Sequence, residues 1–265
     1  MLKIFQRLWQ VNWAEQWQYR ANLIMYLLYW LVSPIIYLAV WTSIANSKGS
    51  VNGLTANDFT TYYLTLLIVD QITSNIVIHT FAYKIQDGTL SGELVRPIHP
   101  MLTNALVNNI AFKGLTIMGF IPVWTLLYFV FRPDYASLTL AGVLLAVPAM
   151  IIGFFVSFLL SASITSLAFW TTRVYSIHEF YYALILLFSG QFVPLTLMPK
   201  LIQDIAQFLP FQLLIYFPIQ LILGKLSTAQ ILQGYVMGAI WLAIAITVFN
   251  LVWRNGVKRF SAVGA

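Results

Sequence analysis

The chain has 265 residues, 60% of them hydrophobic and only 8% charged, against about 25% charged in a soluble domain. A water-soluble globule of that composition would expose large apolar patches, so a soluble fold is excluded and a bilayer becomes the natural solvent. The formal net charge of +6 is not read as a nucleic-acid footprint, because the basic residues cluster at the ends of apolar runs, and Cys 0 excludes disulfides, thiolate metal sites and a Cys nucleophile.

At about 20 residues per helical span, the chain has room for about six spans with short loops, one transmembrane domain over residues 1–265 and no separate catalytic domain. Residues 1–20 predict an amphipathic helix: Phe5, Trp9, Trp13 and Trp17 recur every four residues on one face, with Lys3, Arg7, Gln10 and Gln18 largely elsewhere. Trp-rich faces with basic flanks suit the headgroup level, so this helix is expected to lie in the interface rather than only pack on the protein. No cleavable signal is expected, since this segment lacks an uninterrupted apolar core.

The first span is predicted at Asn22 to Ala45, the second at Asp58 to Tyr83, the third at Ala111 to Phe131 and the fourth at Leu138 to Phe169. A polar stretch, Trp170 to Glu179, precedes a fifth span at Phe180 to Val193, and the last span is Ile231 to Trp253. Between these last two, residues 194–224 are apolar but interrupted by Pro194, Pro199, Pro210 and Pro218. That pattern predicts two short helices that dip into the membrane edge and return, a re-entrant extracellular hairpin.

With six spans and a cytoplasmic N-terminus, the inner side holds Lys3, Arg7, Arg20, Lys84, Arg96, Lys113, Arg173, Arg254, Lys258 and Arg259. The outer side holds Lys48, Arg132, Lys200 and Lys225. This imbalance predicts that both termini are cytoplasmic.

Asp70 is the costliest residue of the second span, because a carboxylate there has to be paired or face water. Gln71, Asn75 and His79, spaced by four and flanked by Asp70 and Ser74, predict one polar stripe on a continuous helix. The stripe suits a polar path or a subunit seam; interhelical hydrogen bonding that only holds the bundle is the alternative. In the fourth span, Gly153, Ser157, Ser161 and Thr165 form a small-residue stripe that predicts close helix packing. The segment 84–100 carries Lys84, Asp87, Glu93 and Arg96 around a short helix expected from Thr89 to Val95, suited to transmitting motion from a soluble partner or to serving as a plain solvated connection.

No phosphate-cradling Gly-x-x-x-x-Gly-Lys-Ser/Thr loop occurs, so the chain is not expected to bind ATP itself. His79, His99 and His178 lie far apart in sequence without zinc-ligand spacing, so no metal site is expected.

Two local patterns in this arrangement carry a family resemblance. One is Ile85-Gln86-Asp87-Gly88-Thr89-Leu90 followed by Leu94-Val95-Arg96-Pro97, just after the second span. The other runs from Ser189-Gly190-Gln191-Phe192-Val193-Pro194-Leu195 through Met198-Pro199 and Phe208-Leu209-Pro210-Phe211 to Phe217-Pro218 and Gly224. Over nearly its whole length the chain resembles the permease subunits of type-two ABC exporters, with the departure that Lys84, Ile85, Gln86 and Asp87 stand where many members crowd Glu and Arg.

The resemblance implies that Asp87, Gly88, Thr89, Leu90, Ser91, Gly92, Glu93, Leu94 and Arg96 dock on a separate ABC ATPase, present in two copies and carrying the ATP and magnesium. It implies a second permease, identical or homologous, with the first, second and fifth spans near the seam. Arg96-Pro97 resembles a subgroup paired with a different permease. Gln191, Pro194, Pro199 and Pro210 would shape the extracellular hairpin. The implied activity is export of a lipid-like or amphipathic substrate across the bacterial cytoplasmic membrane, the chain itself being non-catalytic. An ATP-independent secondary transporter or channel is the alternative, predicting internal repeats and ionisable groups at mid-membrane; an embedded enzyme would need clustered His, Asp or Arg at one membrane face.

Overall fold

The computed structural model describes residues 2–18 and 20–260; the side chains of residues 2–5, 16, 20, 22, 23 and 102–104, among them Lys3, Phe5, Arg20 and Asn22, and the tail from 261 onward lie outside the described residues. The protein is an all-α membrane protein. Helix α1 (Leu2–Gln18) leads into α2 (Arg20–Lys48), α3 (Ala56–Thr73), α4 (Val77–Gln86) and the short α5 (Ser91–Leu94). A π-helical turn (Met101–Leu106) runs into α6 (Val107–Phe131), followed by α7 (Leu140–Ser166) and α8 (Val174–Phe188). Then come α9 (Lys200–Ala206), α10 (Tyr216–Ile222) and the long α11 (Thr228–Val257).

Among the described residues, 5 helices are long and apolar enough to cross a membrane. The second of them, formed by α3 and α4 together, is 61% buried, whereas the first, third and last are 17% buried. The second span is therefore the central post. The outward faces of α2, α6 and α11 carry Ile24, Val32, Ile121, Phe129, Leu232 and Leu251 without protein cover, as lipid-facing surfaces do. One core cluster joins α2, α3, α7 and α10 around Leu38, Tyr63, Leu66, Leu213 and Ile219. A second, toward the chain termini, gathers Phe81, Leu90, Met101, Phe158 and Trp253.

Helix α1 packs on α6: Trp9 and Trp13 stack at 5.5 Å, and Trp13 presses against Gly114. Trp17 and Val11 remain exposed. The Trp face is thus divided, its middle used for packing and its end left free.

Three expectations are corrected. The second span is not one continuous helix: α3 stops at Thr73, Ser74 and Asn75 leave helical geometry, and α4 starts at Val77. The third span begins before Ala111, at Val107, because the π-helical turn feeds directly into it. The fifth helix starts at Val174 rather than Phe180, so His178 and Glu179 belong to it, and it ends at Phe188 instead of Val193. Its 15 residues measure about 22 Å, short of the roughly 30 Å hydrocarbon thickness. The irregular Ser189–Gln191 turn completes its course, held where Tyr62 Oη donates to Gly190 O at 2.7 Å and Tyr216 N donates to Ser189 O at 3.0 Å.

Residues 194–224 form the two short helices expected, α9 and the Phe211–Ile222 segment, bent by 79°. The return segment lies on α7 through two glycines. A Cβ on Gly153 would stand 2.6 Å from Leu213 O, and one on Gly142 would stand 2.5 Å from Leu221 O. Only glycine lets backbone carbonyls approach a helix this closely.

Candidate functional site

The break in the second span organises the site. Several backbone groups at the break find partners on neighbouring helices or on the adjoining turn. Ser74 N donates to Asp70 O at 3.0 Å, and Ile76 N donates to Asn109 Oδ1 on α6 at 2.9 Å. Lys113 Nζ, also on α6, donates to Gln71 O at 2.8 Å and to Ser74 Oγ at 3.2 Å. An ammonium at the C-terminal end of α3 also complements that helix's dipole. On the other side, Asn75 Nδ2 donates to Ser157 Oγ at 2.7 Å and Ser161 Oγ at 3.1 Å on α7. The small-residue stripe of α7 therefore packs as expected, Gly153 against the return segment and Ser157 and Ser161 against the break. Irregular backbone at membrane depth is tolerated where protein or a cavity surrounds it, which is the case here.

Lys113 is a further correction to the sequence reading. It was placed with the cytoplasmic basic residues, but it lies well inside α6, half-buried, 5.5 Å from the Phe154 ring centroid and within electrostatic reach of Asp70. Asp70 is therefore not the only ionisable group inside the bundle. The missed signal was the spacing Asn109–Lys113, one helical turn, which puts both on the same face of α6.

The predicted polar stripe divides at the break. Asp70, Ser74, Asn75 and His79 line a cavity of about 220 Å³ between α2, the break, α7 and α8. Gln71 is buried and turns to the opposite side, toward Asn109 and Lys113. Sequence reasoning did not place the other walls: Tyr26, Tyr29 and Trp30 on α2, and His178, Glu179 and Tyr182 on α8. His79 and His178, far apart in the chain, meet edge to face at 5.9 Å. Gln191, read as part of the hairpin, is buried in the lining of the same cavity. Pro194 and Pro210 are buried in the hairpin's base and Pro199 is exposed at the start of α9, away from the cavity.

The segment after α4 is a compact knuckle. Gly88 adopts φ 82°, and Leu90 turns back so that its N–H donates to Lys84 O at 2.9 Å while its side chain is fully buried. Asp87 accepts from the Thr89 N–H at 3.0 Å and from its hydroxyl at 2.8 Å, and these bonds hold its carboxyl below the usual carboxylate range. Lys84 and Glu93 pair at 2.8 Å with both side chains largely buried. The helical turn is shorter than expected, Ser91–Leu94. Around it Asp87, Thr89, Gly92, Val95 and Arg96 are exposed, Val95 at 85%. His99 closes the segment: its Nδ1 accepts the Met101 N–H at 3.2 Å and its ring lies 4.8 Å from Trp253, and burial lowers its pKa.

These features define a multi-pass membrane transport component, with a discontinuous central helix, a polar and aromatic cavity beside it and a rigid knuckle at one end. A family model described as ABC-2 family transporter protein matches residues 21–264. The chain belongs to that family, and so is a permease of an ABC transporter. No curated protein matches it.

Proposed function

We propose that the chain is the membrane subunit of an ATP-driven exporter and that residues 87–96 dock on a separate ABC ATPase. The observation that carries this reading is the continuity of α4. One end of that helix forms the break and contributes His79 to the cavity; the other ends in the Lys84–Glu93 knuckle. Gln86 Nε2 donates to Thr172 O at 3.3 Å, tying the same end to the loop before α8. A push on the knuckle would therefore move both walls of the cavity. Two ATPase copies would hold ATP and magnesium, and the permease itself would catalyse nothing.

The cavity opens on the faces of α2 and α8, where Tyr29, Phe180 and Tyr182 are exposed. A second permease, identical or homologous, would close it, and the substrate would be a lipid-like or amphipathic molecule leaving through that seam. The basic residues at the chain ends support a bacterial cytoplasmic membrane with both termini inside, and the 79° hairpin would re-enter from the outer side.

Affinity purification from the native host in mild detergent, with every co-purifying chain identified, tests this. Recovery of an ATPase bearing a phosphate-binding loop, lost on Gly88→Pro or Glu93→Arg, is the expected result. The ionisable groups beside a broken helix also suit an ATP-independent carrier. A chain isolated stably with no ATPase would put that reading first.

A further inference from the structure

We propose that the cavity selects an amphiphile with a cationic head over one with an anionic head; this rests on the reading of the cavity as the substrate path. The lining carries two carboxylates, Asp70 from α3 and Glu179 from α8, and among the described residues contains no Lys or Arg. Lys113 does not reach into it. Its ammonium is engaged by Gln71 O and Ser74 Oγ on the far side of the break, where it offsets part of the Asp70 charge from behind. The aromatic wall, Tyr29 and Trp30 from α2 facing Tyr182 from α8, presents ring surfaces that attract a cation and repel an anion.

A further observation points to an absent ligand. Gln191 is only 5% exposed, its side chain lies within hydrogen-bonding reach of the Tyr182 hydroxyl, and its Oε1 has no hydrogen-bond partner among the described residues. A buried amide oxygen left open in the lining of a cavity is an acceptor awaiting a donor, and an ammonium or guanidinium supplies N–H donors where a phosphate or carboxylate supplies none. The volume of about 220 Å³ is below the roughly 300 Å³ at which ligand sites begin, so one chain offers part of a site.

Size-matched ions of opposite charge test the proposal. The purified complex in nanodiscs is titrated at pH 8, where an ordinary imidazole is neutral, with tetraphenylphosphonium and separately with tetraphenylborate. Binding is read by equilibrium dialysis, with empty nanodiscs subtracted. Tetraphenylphosphonium is expected to bind saturably and about ten-fold tighter than the borate, the scale of one partly desolvated cation contact. Glu179→Gln, at the exposed rim, is expected to reduce that preference about five-fold on the same scale. Asp70→Asn should act in the same direction, and Lys200→Gln on α9 should change nothing. Absence of saturable binding, equal binding of the two ions, or a preference unmoved by Glu179→Gln overturns the proposal, even if Asp70→Asn fails to fold. ATPase recovery from the same preparation separates the two readings. A complex that contains its ATPase but shows no charge preference defeats only the cation proposal. A chain that prefers the cation but carries no ATPase defeats only the ABC coupling.

Discussion

Asn109 Oδ1 accepts the backbone N–H of Ile76 at 2.9 Å, so a side chain of the third span replaces the hydrogen bond that the second span loses where it breaks. Asn109 is itself 1% exposed and its Nδ2 is used by Ala105 O at 2.9 Å, so water cannot substitute for it. Asn109→Leu leaves the Ile76 donor buried and unpaired, which costs about 1–3 kcal/mol. Thermal unfolding of the detergent-purified chain is expected to show a lowered midpoint for this variant. An unchanged midpoint would mean that the break does not depend on α6.

Lys113 and Asp70 call for a different experiment, because each also serves other groups. Lys113→Met removes the charge facing Asp70 and two hydrogen bonds at the end of α3. Leaving Gln71 O and Ser74 Oγ without their donor costs about 1–3 kcal/mol. Asp70→Asn in the same chain is expected to recover part of that loss, with a coupling of about 0.5–3 kcal/mol in a double-mutant cycle. Strict additivity in chemical denaturation would show that the two charges act independently.

The helical class, the approximate span limits, the turn at Gly88 and the two short helices of residues 194–224 were legible because hydropathy and Pro/Gly punctuation are local signals. Gly88 and the Pro194–Pro218 series marked their turns directly, as φ 82° at Gly88 and the 79° bend bear out. The break at Ser74–Ile76 was not legible, because its stability resides in Asn109, Lys113, Ser157 and Ser161 on other helices. A charge at the end of an apolar run, like Lys113, reads as an orientation signal unless its helical neighbours are considered. The α8 wall was missed for a related reason: His178 and Glu179 look like loop residues, and only the fold shows that they belong to the first turns of a helix that brings His178 against His79.

Gly88 tests the knuckle with little chemistry changed. At φ 82° an added Cβ is strained by about 1–2 kcal/mol. Gly88→Ala is expected to lower global stability by no more than that strain, and to lower ATPase co-purification by more than so small a destabilisation explains. Full ATPase recovery with Gly88→Ala would show that the turn tolerates the strain or plays no part in docking.

Gly153 separates packing from substrate contact. Its Cβ would meet Leu213 O at 2.6 Å, a backbone atom that cannot step aside without moving the return segment. Gly153→Ala is therefore expected to destabilise the chain by about 1–3 kcal/mol, the range for overpacked cores, as a lower unfolding midpoint. The ligand preference of the cavity should be unaffected. A stable variant with altered ligand preference would reverse that assignment.

His99 makes the stability depend on pH. Its Nδ1 must stay unprotonated to accept the Met101 N–H, and burial against Trp253 lowers its pKa below the ordinary value of about 6.5. The unfolded chain therefore binds a proton at a higher pH than the folded one, and stability rises with pH across the interval between the two pKa values. At neutral pH the contribution is fully present; it falls away as pH drops below about 6.5. Unfolding midpoints measured from pH 8 to pH 5 are expected to decline below that point in the native chain. The decline should be smaller in His99→Gln, whose amide oxygen can accept the same N–H without titrating. An equal decline in both would assign the acid sensitivity to other groups and leave His99 a purely packing residue.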